Sequence, residues 1–125
     1  MNKKHILVVD DDNDICTLLE YNLSNNGFKV SLAENGKVAL KKMNPIPDLL
    51  IVDIMMPEMD GIEFCRTLRQ NTRYTSIPLL FLTAKDRELD EVLGLNVGAD
   101  DYITKPISMK LLIARVNTLL RRTNT

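Results

Sequence analysis

The chain has 125 residues, enough for one domain with a sizeable buried core. Its 45% hydrophobic and 26% charged residues are ordinary for a globular fold, and a formal net charge of −1 supplies no general attraction for nucleic acid or an anionic membrane. With one histidine and two cysteines at no metal-binding spacing, a zinc site is excluded. Cys16 and Cys65 fall in predicted helices and read as small core residues, and His5 has no obvious partner that would make it a ligand or catalyst.

Met1-Asn2-Lys3-Lys4-His5 leads into Ile6-Leu7-Val8-Val9, an apolar run too short for a signal-peptide core. No later run approaches membrane-spanning length, so the expected location is cytoplasmic. Lys4 to Val9 reads as a first strand ending in Asp10-Asp11-Asp12. Ile15, Leu18, Leu19 and Leu23 then recur at helical spacing over Asn13 to Asn25, with Asp12 or Asn13 as N-cap and Asn26-Gly27 as the stop. Lys29 to Ala33 alternates like an edge strand, and Gly36 to Met43 is a short helix closed by Asn44-Pro45.

Leu49-Leu50-Ile51-Val52 is a continuous apolar run, the pattern of a strand buried on both faces, and it stops at Asp53. Pro57 forces a loop, and Asp60-Gly61 opens a third helix through Leu68. Ile77 to Leu82 is a fourth strand ending at Thr83, and a fourth helix is expected from Asp86 to Asn96, closed by Gly98. Asp101 to Thr104 is a short fifth strand leading to Lys105-Pro106. Ser108 caps a last helix that carries Leu112, Ile113, Val116, Leu119 and Leu120 and ends in Arg121-Arg122, favourable charges at a helix C-terminus. Five strands alternating with five helices make an open, doubly wound α/β sheet with right-handed crossovers.

In such a sheet ligands bind beyond the carboxyl ends of the strands. The residues leaving those ends are Asp10, Asp11, Asp53, Thr83 and Lys105. If the first and third strands are neighbours, Asp11 and Asp53 lie roughly 5 Å apart. Two bare carboxylates that close repel by about 1 to 4 kcal/mol, so a hard divalent cation such as Mg²⁺ belongs between them, with Lys105 as a fixed charge alongside. Asp12 is better explained as a helix cap. A flavin site is disfavoured because Asp-Asp-Asp-Asn-Asp would repel a phosphate, and a haloacid-dehalogenase-type phosphatase would need a second acid where Met55 stands.

Four pieces together are specific: Ile6-Leu7-Val8-Val9-Asp10-Asp11; Asp53-Ile54-Met55-Met56-Pro57 with Asp60-Gly61; Leu82-Thr83-Ala84; and Gly98-Ala99-Asp100-Asp101-Tyr102-Ile103-Thr104-Lys105-Pro106. In these the chain resembles the response-regulator receiver domain of two-component signalling, from about Lys4 to Arg122. The resemblance implies a flavodoxin/CheY-like sheet of order 2-1-3-4-5, a receiver over residues 1–122, and residues 123–125 as a tail or the start of a linker. It implies that Asp53 takes a phosphoryl group from a sensor histidine kinase. Mg²⁺ would be held by Asp11, Asp53 and the Met55 backbone carbonyl, with Asp10 acting through water. Lys105 and Thr83 would contact phosphoryl oxygens, and the Lys105-Pro106 bond would be cis.

Switching would run through Thr83 and Tyr102 to the surface of the fourth helix, fifth strand and fifth helix. The chain looks like the OmpR/PhoB branch, whose members dimerise on that face through ion pairs. Asp100, Asp101, Arg115 and Arg122 stand where such pairs need them, while Glu91, Leu111 and Ile107 depart from the branch pattern. Branch members carry a DNA-binding domain after the last helix, and no DNA-reading element stands within these residues. Met55 has no polar atom to orient an attacking water, so slow autodephosphorylation is expected. The alternatives are a Mg²⁺-dependent phosphohydrolase with Asp53 as nucleophile and an interaction module without phosphorylation.

Overall fold

The computed structural model describes residues 3–84 and 96–123. Five strands, β1 (His5–Val9), β2 (Lys29–Ala33), β3 (Leu49–Asp53), β4 (Leu79–Ala84) and β5 (Asp101–Lys105), form one sheet in the order β2-β1-β3-β4-β5. Every neighbouring pair is parallel. Four α-helices lie among the described residues: α1 (Asn13–Asn25), α2 (Gly36–Lys41), α3 (Gly61–Arg69) and α4 (Met109–Thr123). The helix expected over Asp86 to Asn96 falls, apart from Asn96, outside the described residues. None of the described helices is long and apolar enough to cross a membrane.

The strands bury alternate residues on opposite faces. Leu7, Val9, Leu50, Val52, Leu79 and Phe81 pack with Ala39 of α2 and Phe64, Cys65 and Leu68 of α3. Ile6, Val8, Leu49, Ile51, Leu80, Leu82 and Ile103 pack instead with Cys16, Leu19 and Leu23 of α1 and Leu112, Val116 and Leu119 of α4. Both cysteines are therefore free core residues, as the sequence suggested. Each fully buried Leu, Ile or Phe contributes about 1.5 to 3 kcal/mol, which makes β1, β3 and β4 the rigid centre of the molecule.

Helix starts are set by short polar side chains. The Asp12 carboxylate accepts from the N–H groups of Asp14 (2.9 Å) and Ile15 (3.4 Å), the Asn35 carbonyl oxygen from Val38 (2.9 Å), and the Asp60 carboxylate from Glu63 (2.8 Å). Ser108 Oγ accepts from the N–H of Leu111 at 3.3 Å, the expected cap of the last helix. Leu18 departs from the helical-core reading: it lies on the outer side of α1 and is 46% exposed.

His5 corrects the sequence reading, which gave it no obvious partner. It opens β1, is buried, and places Nε2 2.7 Å from Ser31 Oγ, while its backbone N–H donates to the Asp48 carboxylate at 2.7 Å. Burial and the nearby Lys29 charge lower its pKa, against a raising effect from Asp48. It lies at the amino ends of the strands, away from the acids.

Candidate functional site

The register of the sheet assembles the acids. Val9 lies opposite Val52, so Asp10, the next residue after β1, comes level with Asp53, the last residue of β3. Asp53 in turn lies opposite Leu82, and Thr83 opposite Thr104, with Lys105 one step beyond. Carboxylate oxygens of Asp10, Asp11 and Asp53 all lie within 4.8 Å of one another. Asp10 and Asp53 are buried, 1% and 5% exposed, while Asp11 faces solvent.

Lys105 reaches across from β5. Its Nζ is 3.2 Å from Asp53 Oδ2 and 3.5 Å from Asp10 Oδ2. The remaining acid oxygens are held by backbone: Asp12 N–H donates to Asp10 Oδ1 at 2.9 Å, and Met55 N–H to Asp53 Oδ1 at 3.3 Å. The Lys105–Pro106 peptide bond is cis, as is Asn44–Pro45.

Burial is the main cause pushing the Asp53 carboxyl from 3.8 up to about 6; the Asp10 charge adds to it, and the Lys105 ammonium and the Met55 N–H pull the other way. Burial also raises Asp10, opposed by the Asp12 N–H and Lys105. For Lys105, burial lowers the pKa, but the two carboxylates outweigh it and hold the amine above its ordinary value. Three ionised carboxylates against one ammonium leave an excess of two negative charges (3 − 1 = 2). An all-oxygen donor set with that excess fits a hard divalent cation.

Thr83 is 1% exposed, and its hydroxyl makes a contact of 3.5 Å with the Ala84 carbonyl, at the outer limit of a hydrogen bond. Tyr102 is half-buried against the α2–α3 side of the core, its N–H donating to the Asp101 carboxylate at 2.8 Å. Met55, whose backbone N–H bonds Asp53, is 50% exposed.

Three of the residues that the resemblance placed at a subunit interface, Asp100, Asp101 and Arg115, are engaged within the chain. The Asp100 carboxylate accepts from the Leu79 N–H at 2.8 Å and lies 3.4 Å from Arg69 Nη2. Asp101 pairs with Arg115 at 2.7 Å. Arg122 is exposed in the last turn of α4.

Sequence reasoning missed two supports of the site. A Cβ on Gly61 would run into the Asp53 carbonyl oxygen, so only glycine lets α3 begin against the end of β3. The Gly61 N–H donates to the Ile54 carbonyl at 2.8 Å there. Arg69, at the end of α3, donates to the carbonyls of Gly98 (3.0 Å) and Tyr74 (2.8 Å) besides meeting Asp100, and so ties α3 to the approaches of β4 and β5. The Asp60-Gly61 pair hinted at the first; nothing local in the sequence signals the second.

A family model described as "Response regulator receiver domain" matches residues 6–117. The chain is 54% identical over 123 residues to the alkaline phosphatase synthesis transcriptional regulatory protein PhoP of Bacillus subtilis, covering 98% of this chain and 50% of that protein. It thus spans half the length of that curated relative. Among solved structures, a response regulator from Chloroflexus aurantiacus superposes with a TM-score of 0.92 at 34% identity, covering 96% of this chain and 99% of that one. The Vibrio cholerae chemotaxis protein CheY4 superposes with a TM-score of 0.88 at 29% identity, covering 94% and 99%. The matched span contains Asp10, Asp11, Asp53, Thr83 and Lys105, the residues that the sheet carries to one edge, and the chain belongs to the response-regulator receiver-domain family.

Proposed function

We propose that Asp53 is the phosphoacceptor of a signalling switch and that its donor is a phosphohistidine on a sensor histidine kinase. The observation that carries this reading is a buried carboxylate at a rigid strand end, 3.2 Å from a lysine ammonium and beside two further acids. An ionised Asp53 oxygen attacks phosphorus, the bond from phosphorus to the histidine nitrogen breaks, and the departing imidazole takes up a proton. Charge on the transferring group spreads over its equatorial oxygens, where the Lys105 ammonium and the Thr83 hydroxyl stabilise it. Mg²⁺, when held by Asp10, Asp11, Asp53 and the Met55 carbonyl, supplies the countercharge that lets acids and phosphoryl group coexist.

The product adds roughly −1.5 to −2 charge and three strong acceptors beside Thr83. A buried hydroxyl with a contact of only 3.5 Å has little to lose by turning toward them. Tyr102 then takes up the vacated space and changes the surface of β5 and α4. That surface is the proposed homodimer face, using Asp100, Asp101, Arg115 and Arg122. Because Asp101 and Arg115 already pair inside one chain, dimerisation exchanges partners rather than burying bare charges. The receiver unit is taken as residues 1–122 with 123–125 as tail or linker, working in the cytoplasm. Its output is control of an output domain or a partner, transcription being the output named for the Bacillus relative.

The test is intact-mass analysis after acetyl phosphate, with and without Mg²⁺, on the natural chain and on Asp53→Asn. One phosphoryl group, added only with Mg²⁺ and absent from Asp53→Asn, is the expected result. A label on another residue overturns the reading, and steady turnover of a phosphomonoester identifies a hydrolase instead.

A further inference from the structure

The methionines among the described residues are graded in their access to solvent, and the gradient peaks at Met55, two residues after Asp53. Met43 and Met56 are 2% and 9% exposed. Met59 is half-buried with its sulfur laid over Gly36, where a Cβ would stand 2.9 Å from it, and Met109 is half-buried against the core of α1 and α4. Met55 is 50% exposed, the highest of the methionines among the described residues. Its backbone N–H donates to Asp53 Oδ1 at 3.3 Å, so its unbranched side chain, with three rotatable bonds, springs from the rim of the acceptor carboxylate.

We propose that Met55 is a peroxide-sensitive modification site whose oxidation shortens the life of the Asp53 acyl phosphate; this rests on Asp53 being the acceptor. Hydrogen peroxide oxidises the thioether by two electrons: the O–O bond breaks, one oxygen bonds to sulfur, and the other leaves as water. Sulfoxide formation replaces an apolar group by a strong hydrogen-bond acceptor on a side chain whose backbone N–H bonds the acceptor carboxylate. The thioether offers an attacking water nothing to bond to, whereas the sulfoxide oxygen accepts from it and orients it at phosphorus. The sulfoxide is too weak a base to take the proton outright. The expected acceleration is therefore about threefold to tenfold, short of the ~10²-fold at which general-base catalysis begins. Reduction of the sulfoxide restores the thioether, so the change is reversible.

The experiment uses the full chain with graded hydrogen peroxide, peptide mapping of every methionine, and then loading with acetyl phosphate and Mg²⁺ and timing of label loss. Met55 sulfoxide should form ahead of Met59 and Met109, and the oxidised chain should lose its label about threefold to tenfold faster. Met55→Leu, which keeps the backbone but has no sulfur, should show no effect of peroxide on label loss. Met55→Asn, which carries a polar acceptor from the start, should lose label faster without peroxide. Oxidation at Met55 no earlier than at the half-buried methionines, an unchanged lifetime after oxidation, or a peroxide effect that persists in Met55→Leu overturns the proposal. Failure of the unoxidised chain to take label at Asp53 overturns the acceptor reading and the lifetime effect with it. The order of oxidation is measured on the same samples and is judged separately.

Discussion

Replacing Asp53 by asparagine should make the folded chain more stable at alkaline pH, although it removes the proposed acceptor. The carboxyl is pushed from 3.8 up to about 6, chiefly by burial and next by the Asp10 charge. An acid whose pKa is higher folded than unfolded binds more protons in the native state between those two values. The slope of unfolding free energy with pH is then negative there. Stability is greatest below 3.8, falls as pH rises, and the full penalty is in place above about 6. The interval corresponds to about 3 kcal/mol at 1.36 kcal/mol per pH unit, and because Asp10 and Lys105 share the titration a net of about 1 to 3 kcal/mol is expected. Asparagine has nearly the shape of the protonated acid and carries no charge. Urea unfolding in the presence of EDTA should place Asp53→Asn above the natural chain by that margin at pH 8, with the two curves converging by pH 4. Added Mg²⁺ should raise the natural chain by about 2.7 kcal/mol at a hundredfold excess over its dissociation constant and raise the variant far less. A variant less stable at pH 8, or a difference that does not change with pH, would refute the claim that desolvation and Asp10 dominate this site.

Lys105→Met removes the ammonium 3.2 Å from Asp53, so the Asp53 carboxyl should titrate still higher, as read by carbon-13 NMR, and labelling by acetyl phosphate should fall at least about tenfold. Gly61→Ala drives a methyl group against the Asp53 carbonyl and should cost about 1 to 3 kcal/mol in urea unfolding, with loss of labelling; an unchanged midpoint would mean that α3 shifts freely. Arg69→Ala leaves the Gly98 and Tyr74 carbonyls without their charged donor and Asp100 without its cation, at a cost of about 1.5 to 3 kcal/mol. Hydrogen exchange should then quicken first at Leu79 and Asp100, and uniform quickening would contradict a local tie. Glu58 has φ of 66°, so Glu58→Gly should stabilise by about 0.5 to 1 kcal/mol; any loss would show that its side chain matters more than its backbone.

Much of the fold was legible because its signals are local. The doubly buried strands announce themselves as apolar runs, and each ends where a charge or hydroxyl must meet water: Asp10 after Val9, Asp53 after Val52, Thr83 after Leu82. The caps at Asp12, Asp60 and Ser108 depend on side chains bonding to backbone two or three residues away, which spacing alone reveals. The acid cluster could be anticipated for the same reason, since the carboxyl ends of parallel strands share one edge.

What chain order could not supply were interactions between groups far apart in it. His5 found Ser31 only because β1 and β2 pair in a given register. Asp100, on the evidence of its neighbours a surface acid, turns its carboxylate to the Leu79 N–H and Arg69. The crowding that admits only glycine at position 61 arises where α3 meets the end of β3. The sequence by itself determined the alternation of elements and the chemical groups at the strand ends, because hydrophobic period and capping act over a few residues. Only the tertiary structure decided how deeply Asp53 is buried, how close Asp10 and Lys105 come to it, and hence a carboxyl held at about 6. Desolvation and Coulomb energy depend on distances that packing alone creates.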